Sequence, residues 1–541
     1  MEKGFLSIFS PSYLGRSIRQ LLYANPLYRL TLKGGIPEKL RLSPPAFRLA
    51  NPETGRKIID GTYTLSRHLV ELGEKPWDNE LDNAEQLADL HSFSWLPDLC
   101  AVGTVEARSL GCRLLADWID YNEKWQDFSW RSDILGERLT KWLYCFDFLT
   151  AKDAATRKNL LKMTAIQARH LVHCSSHAPN DAQLFKAIQG LIFSTVCLPG
   201  AESSIGRSLD RLDSAIGRQI LPDGGHIERN PSMALELLSR LNQIKELLLV
   251  AHIEIPIQLQ GAIDRMPPMV RALRLGDGCL SQFNGGCEEE RNLIDTVLAE
   301  TGVRGKALTS APHSGFQRFS AGRTLIIVDT GKPFEAERLS SHAGTLSFEM
   351  SHGKDRLVVN CGTPNAAGKK WLTAMRVTAA HSTLSVDDLS SSQFDKNKLT
   401  LGPKTVECRR SEADGAVWLE TSHDGYLNRV GIIHKRNLFL ASSGEDFRGE
   451  DIIEGPNNKD FTIRFHLHPN VQVSQAQGLG SVLIKLNKGV GWKFQASGGT
   501  ITIKESVYLN GLDEPRRTNQ IVISGSHHGD RTEIKWRFHK L

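Results

Sequence analysis

The feature that most constrains the fold of this chain is a change of hydrophobic period about 300 residues in. From about residue 60 to 300 the apolar residues recur at helical spacing. Ile134, Leu135, Leu139, Trp142, Leu143 and Phe146 fall on one face, as do Leu160, Leu161, Met163, Ile166 and Leu171, and then Phe185, Ile188, Leu191, Ile192 and Val196. Further helical stretches are expected over 204–220, 233–252 and 258–274, with stop signals such as Leu198-Pro199-Gly200 and Pro222-Asp223-Gly224-Gly225 at their joins. After about residue 305 the period becomes two. Leu325–Val328, Val417–Glu420, Phe461–Phe465, Val482–Leu486 and Ile501–Ile503 read as strands, with Asp424-Gly425, Ser443-Gly444 and Gly498-Gly499 as turns between or beside them. The switch falls near 302–316, around Gly302-Val303-Arg304-Gly305-Lys306.

Helices of similar length joined by short loops predict a toroid or bundle, and the second half predicts an antiparallel sandwich of stacked sheets. The expected organisation is an N-terminal extension over 1–60, a helical domain over 61–304 and a β-domain over 305–541. A chain of 541 residues exceeds what one core usually organises, which agrees with two large domains. The net charge of +5 is slight for that length and argues against nucleic acid as the main partner, while still allowing an acidic substrate in a focused cleft. No apolar run reaches 18 residues, so no spanning helix is expected. The first 23 residues lack the apolar core of a signal peptide, which on sequence alone predicts a cytoplasmic start. Nine cysteines without CxxC pairs read as reduced thiols.

Two histidine-bearing segments stand out, Ser341-His342-Ala343-Gly344-Thr345-Leu346-Ser347-Phe348 and Thr378-Ala379-Ala380-His381-Ser382-Thr383-Leu384. Between them Leu357-Val358-Val359-Asn360-Cys361-Gly362 reads as a buried strand ending in a glycine turn. Two imidazoles and a carboxamide on neighbouring strands can converge, either as zinc ligands or as a buried hydrogen-bonded cluster that ties the strands. His226, Glu228 and Asn230 follow a Gly-Gly turn at a helix start, and Asn230 before Pro231 also has the form of an N-cap and N1 pair.

These segments resemble the heparinase II/III-like family of polysaccharide lyases. The resemblance rests on Leu90-His91-Ser92-Phe93-Ser94-Trp95, on Gly136-Glu137-Arg138-Leu139-Thr140-Lys141-Trp142, on Leu221-Pro222-Asp223-Gly224-Gly225-His226-Ile227-Glu228-Arg229-Asn230-Pro231, and on the two histidine segments. It implies an N-terminal α/α toroid (an incomplete helical barrel) followed by a C-terminal antiparallel β-sandwich, an α+β multidomain chain. It also implies cleavage of an acidic, uronate-containing polysaccharide by β-elimination. That chemistry neutralises a carboxylate, removes the C5 proton and protonates the leaving oxygen. The family often places a tyrosine and a histidine after the Asp-Gly-Gly segment, where this chain has Met233 and Ala234. At the family's first histidine before the Leu-Ser-Phe strand it has Ser340, and at the strand-end aspartate it has Asn360.

The roles implied by the resemblance are therefore divided among the residues that remain. His226 is a candidate base or carboxylate neutraliser, with Glu228 orienting it. Tyr426 and Tyr508 are the remaining phenolic candidates. Arg376, Asn180 and Asn230 are candidate substrate-binding residues, with a salt bridge for Arg376 and helix caps for the two asparagines as plainer alternatives. His342, Asn360 and His381 match metal-ligand positions, with zinc the expected ion. His177 lies beside Asn180 in a loose match, while His466 and His468 read as structural, and Lys369-Lys370 and Arg516-Arg517 as solvated charge. A lyase on an acidic polysaccharide is the leading expectation. The alternatives are a non-catalytic saccharide-binding or scaffold protein on the same fold, and a glycosidase using two carboxylates, for which Asp223 with Glu228 is the one visible pair. The resemblance places such proteins in the cell envelope or periplasm.

Overall fold

A computed structural model describes residues 11–79, 81–151, 153–334, 341–364, 368–395, 398–476, 480–487, 489–511 and 514–541. It has a helical N-terminal region and C-terminal antiparallel sheets, and among the described residues there is no closed barrel. By contacts the chain divides into two compact units, Met1–Arg218 with Arg240–Gln260, and Gln219–Ser239 with Gly261–Leu541. This division differs from the change of period. Periodicity reports what kind of element a residue sits in, whereas compactness reports what the element touches.

The helices of the first unit begin where side chains can satisfy their free N–H groups. Thr104 caps Val105–Asn122 by accepting from the Ala107 amide at 3.2 Å, and Asp153 caps Ala154–Cys174 by accepting from Ala155 at 2.9 Å. The helices Ser132–Tyr144 and Gln183–Cys197 cross at two glycines. A Cβ on Gly190 would lie 2.4 Å from the Gly136 Cα, and one on Gly136 would lie 2.2 Å from the Lys186 carbonyl oxygen. Phe93, Trp95, Trp118 and Trp142 interlock nearby, Trp118 meeting Trp142 edge-on at 5.4 Å. Arg138 is fully buried among them, its guanidinium 4.3 Å from the Trp118 ring and donating to Gln167 Oε1 and to the His91 and Ser129 carbonyls.

The second unit is built on two antiparallel sheets. One runs, in spatial order, 406–413, 416–426, 432–440, 446–454, 531–540, 491–497, 481–485 and 472–475. The other runs 500–508, 516–527, 459–467, 355–359, 348–352, 324–329, 316–321 and 310–311, and 384–386 pairs with 459–467. Strand Ile432–Leu440 alternates buried and half-buried residues along its whole length, the signature of a sheet with one face on a core. Phe348, Phe447, Phe465, Phe494, Trp536 and Phe538 form the aromatic centre of the apolar layer drawn from both sheets.

Ser443-Gly444 turns between adjacent strands of one sheet, while Gly498-Gly499 carries the chain from one sheet to the other. Asp424-Gly425 lies inside strand Ala416–Tyr426, at a register shift between His423 and Tyr426, so it acts as a bulge. The hairpin turn of that strand is Asp414-Gly415, both at positive φ (51° and 76°) as a tight right-twisting turn requires.

Candidate functional site

The two histidine segments meet in the second unit. His342 precedes strand Phe348–His352, Asn360 follows strand Asp355–Val359, and His381 follows the short helical turn Thr378–Ala380. His381 Nδ1–H donates to the Val377 carbonyl at 2.9 Å, which places the lone pair of the neutral ring on Nε2. That nitrogen lies 3.2 Å from His342 Nδ1, with the rings edge to face. Burial holds His381 down to about 4 and His342 well below the ordinary imidazole range, so both are neutral near pH 7. The close approach depends on Gly344, where a Cβ would sit 2.7 Å from His381 Cδ2.

Asn360 uses its amide as a tie. Its Oδ1 accepts from the Ser382 amide at 3.0 Å, and its Nδ2 donates to Glu349 Oε1 at 3.4 Å and the Gln282 carbonyl at 3.5 Å. Two imidazole nitrogens 3.2 Å apart match the edge of a zinc tetrahedron, about 3.3 Å for ~2.05 Å bonds. His342 and His381 therefore fit two corners of a zinc site once His342 gives up its Nδ1 proton. The third donor, Asn360, is uncharged and already accepts a hydrogen bond. Among the described residues no group of three or more His, Cys, Asp or Glu side chains has metal-binding geometry.

Arg376 joins the same region. Its Nε donates to the Ser341 carbonyl at 2.9 Å, its own carbonyl accepts from the Ala343 amide at 2.8 Å, and its guanidinium stacks 3.9 Å from the Phe394 ring centre. Tyr426 lies one strand further on, fully buried, with its hydroxyl donating to the Leu384 carbonyl at 2.9 Å and burial raising its pKa.

Tyr508 belongs elsewhere in this unit. Its hydroxyl donates to Glu288, and burial again raises its pKa well above the ordinary value. Glu288 and Glu349 both flank Arg356, which bonds Asp277 at 2.7 Å. Burial pushes Glu349 up to about 7.

His226, Glu228 and Asn230 sit in a loop tied down on every side. His226 Nδ1 accepts from the Glu228 amide at 3.3 Å and Nε2 meets Gln219 Oε1 at 3.0 Å, so both ring nitrogens are engaged. Burial lowers the ring to about 4. Glu228 is also buried. Asn230 is the helix cap, accepting from the Met233 amide at 3.1 Å while its Nδ2 donates to the Asn284 carbonyl. Asp223 accepts from the Ser314 amide and hydroxyl. Asn180, in the first unit, accepts from Arg218 Nε at 3.1 Å. His466 holds Ser506 and the Ala379 carbonyl with its two nitrogens. Ser340 lies outside the described residues.

Two polar assemblies carried no signal in the sequence. Arg229, at φ 57°, binds Asp329 and the Ser314, Gly315 and Lys332 carbonyls, anchoring the 219–230 loop. Arg436, fully buried, pairs with Asp451, which also accepts from His434 and Trp536, and His434 in turn meets His423 at 3.2 Å. Arg436 Nη1 donates to the Leu346 and Ser382 carbonyls, residues that flank His342 and His381. The partners lie up to 103 residues apart in the chain, beyond the reach of local spacing.

Comparison with known proteins gives a consistent frame. The model described as "Heparinase II/III N-terminus" matches residues 79–302, and "Heparinase II/III-like, C-terminal" matches 303–537. The chain is 33% identical over 540 residues, 95% of its length and 92% of the relative's, to "FtsZ-localized protein C" of Caulobacter vibrioides. It shares the fold of heparinase III (TM-score 0.75, 13% identity, 99% of this chain and 92% of that one). The same holds for a mutant of the heparan sulfate lyase HepC from Pedobacter heparinus (TM-score 0.64, 15% identity, 98% and 91%).

Proposed function

Because the chain belongs to the heparinase II/III-like family, we propose that it recognises an acidic polysaccharide or oligosaccharide without cleaving it. The observation that carries this reading is the state of the proton-transfer candidates. His226, Tyr426 and Tyr508 have at most 1% of their surface exposed. Both nitrogens of His226 are engaged, and the two phenols donate to Leu384 and Glu288. A general acid or base must reach the proton it moves, and groups this deeply buried and bonded do not. The positions where the resemblance expects a tyrosine and histidines hold Met233, Ala234 and Ser340, none of which moves a proton at neutral pH.

A lyase is the second reading, and its supporting observation is that His226 is held neutral, the form a general base requires. Elimination creates an unsaturated uronate that absorbs in the near ultraviolet, so the two readings separate in one cuvette. The purified chain is mixed with heparan sulfate, chondroitin sulfate, hyaluronan and alginate, and absorbance is followed alongside binding by affinity electrophoresis. Retardation in the gel without an absorbance rise is expected. A rise proportional to protein concentration, abolished in His226→Ala, establishes the lyase and overturns the binding-only reading.

A further inference from the structure

We infer that the outer face of the eight-stranded sheet binds an uncharged polysaccharide. This adds a second ligand class to the acidic saccharide proposed above and does not depend on it. The face holds a groove of about 670 Å³ across five neighbouring strands, 416–426, 432–440, 446–454, 531–540 and 491–497. That size lies within the range of small-ligand sites. Register decides which side chains meet there. Trp418 stands opposite Phe439, Phe439 opposite Arg448, Arg448 opposite Arg537, and Arg537 opposite Gln495. Two residues along each strand, a second row runs Glu420, Asn437, Glu450, Lys535 and Ser497. The residues between the rows, Leu419, Leu438 and Trp536 among them, point the other way and are buried in the apolar layer. Four strand spacings make each row about 19 Å long, the length of a short oligosaccharide.

One end of the groove is aromatic and the rest is polar. Trp418 is 38% exposed and its ring centre lies 5.0 Å from that of Phe439. An exposed indole offers the negative face of its ring to the polarised C–H groups of a pyranose, a contact that needs no charge on the sugar. The polar groups are already positioned. Asp446 grips both guanidiniums, accepting from Arg448 Nη2 at 2.6 Å and from Arg537 Nε at 2.6 Å. Glu450 accepts from Asn437 at 3.0 Å and pairs with Lys535 at 3.3 Å. Side chains held this way have less freedom to lose when a ligand arrives.

The balance of charge selects the occupant. Arg448, Arg537 and Lys535 share the face with the carboxylates of Glu420, Glu450 and Asp446, three against three. Such a surface has no net field to draw in a polyanion, but it sets donors beside acceptors. A sugar hydroxyl both donates and accepts, so it matches either kind of group. All five strands are paired on both sides, which leaves no edge open to an added peptide strand. Two aromatic rings among charged groups are also little apolar surface for a stable contact with a second copy.

The test is co-sedimentation of full-length protein with insoluble cellulose, curdlan, chitin and mannan. Wild-type protein is expected to pellet with at least one of them, and to stay bound in about 0.5 M salt because the ligand carries no charge to screen. Trp418→Ala and Glu420→Ala alter exposed positions, so their circular dichroism should match wild type. Each should weaken binding by about tenfold or more. No binding to any of these polymers, release by salt, or undiminished binding by either folded variant overturns the inference. Heparan sulfate on beads is the parallel arm: loss of wild-type binding to it in Trp418→Ala would give the face to an acidic chain instead. A wild-type dimer in analytical ultracentrifugation that Trp418→Ala converts to monomer also overturns the inference, since a second copy would then cover the face.

Discussion

Replacing Asp451 with asparagine tests whether the buried charge network holds the histidine pair in place. Asp451 is fully buried and accepts four hydrogen bonds: from His434 Nε2 (2.7 Å) and Arg436 Nε (2.7 Å) on one oxygen, and from Arg436 Nη2 (2.9 Å) and Trp536 Nε1 (2.8 Å) on the other. Asparagine keeps the shape but offers a single oxygen. Whichever way its amide turns, its NH2 faces two donors. Two charge-assisted bonds are lost, each contributing about 1.5–3 kcal/mol, and Arg436 is left buried without its counter-charge, which costs about 3–5 kcal/mol. These two figures describe one loss from two sides, so the expected destabilisation is about 3–5 kcal/mol rather than their sum.

The assay is urea unfolding followed by tryptophan fluorescence, to which the buried Trp492 and Trp536 contribute. The midpoint should fall steeply in Asp451→Asn and stay unchanged in Glu445→Gln, whose ion pair with Lys540 is on the surface. Arg436 also holds the Leu346 and Ser382 carbonyls at 2.9 and 3.0 Å, so the imidazole resonances of His342 and His381 should shift in the folded variant. A loss below about 1 kcal/mol would refute the network as a structural keystone.

Gly136→Ala places a methyl group 2.2 Å from the Lys186 carbonyl, so the two helices must separate. Overpacking of about 1–3 kcal/mol outweighs the ~1 kcal/mol by which alanine favours a helix, and the melting temperature should drop; a rise sinks the argument. His226 and His381, held near 4 by burial, titrate near 6.5 when unfolded, so the unfolded chain binds more protons between these values. Stability should therefore be full above about pH 6.5 and decline as pH falls toward 4, by up to about 3 kcal/mol per histidine. A melting temperature that stays flat from pH 7 to 5 contradicts this. Zinc should bind the His342–His381 pair only weakly, and Asn360→Asp, which supplies a charged third donor, should tighten it at least about tenfold in competition with a chelating dye; equal affinities would remove Asn360 from the site.

Element type was legible along the chain because hydrophobic period is a local property. The helical faces around Ile134–Phe146 and the alternation of Ile432–Leu440 report directly which side of each element meets a core. The Asn230-Pro231 cap was legible for the same reason, since donor and acceptor lie three residues apart. The two histidine segments were also visible as a pair, and they do converge, with His342 and His381 at 3.2 Å. What they do there depended on groups that spacing does not reveal. Val377 sets the tautomer of His381, Ser382 occupies the Asn360 oxygen, and Gly344 leaves room for the ring.

Tertiary structure alone decided the rest. A tyrosine in a strand has the same sequence signature whether its hydroxyl faces a substrate or, as in Tyr426, a buried carbonyl. Arg229 with Asp329 and Arg436 with Asp451 are charge pairs made by strands and loops brought together from distant parts of the chain. Their stabilisation arises only after desolvation, when a low local dielectric makes an unpaired charge costly and a paired one specific. Sequence patterning reports which surfaces want to leave water; which polar groups meet once they have left is settled by packing.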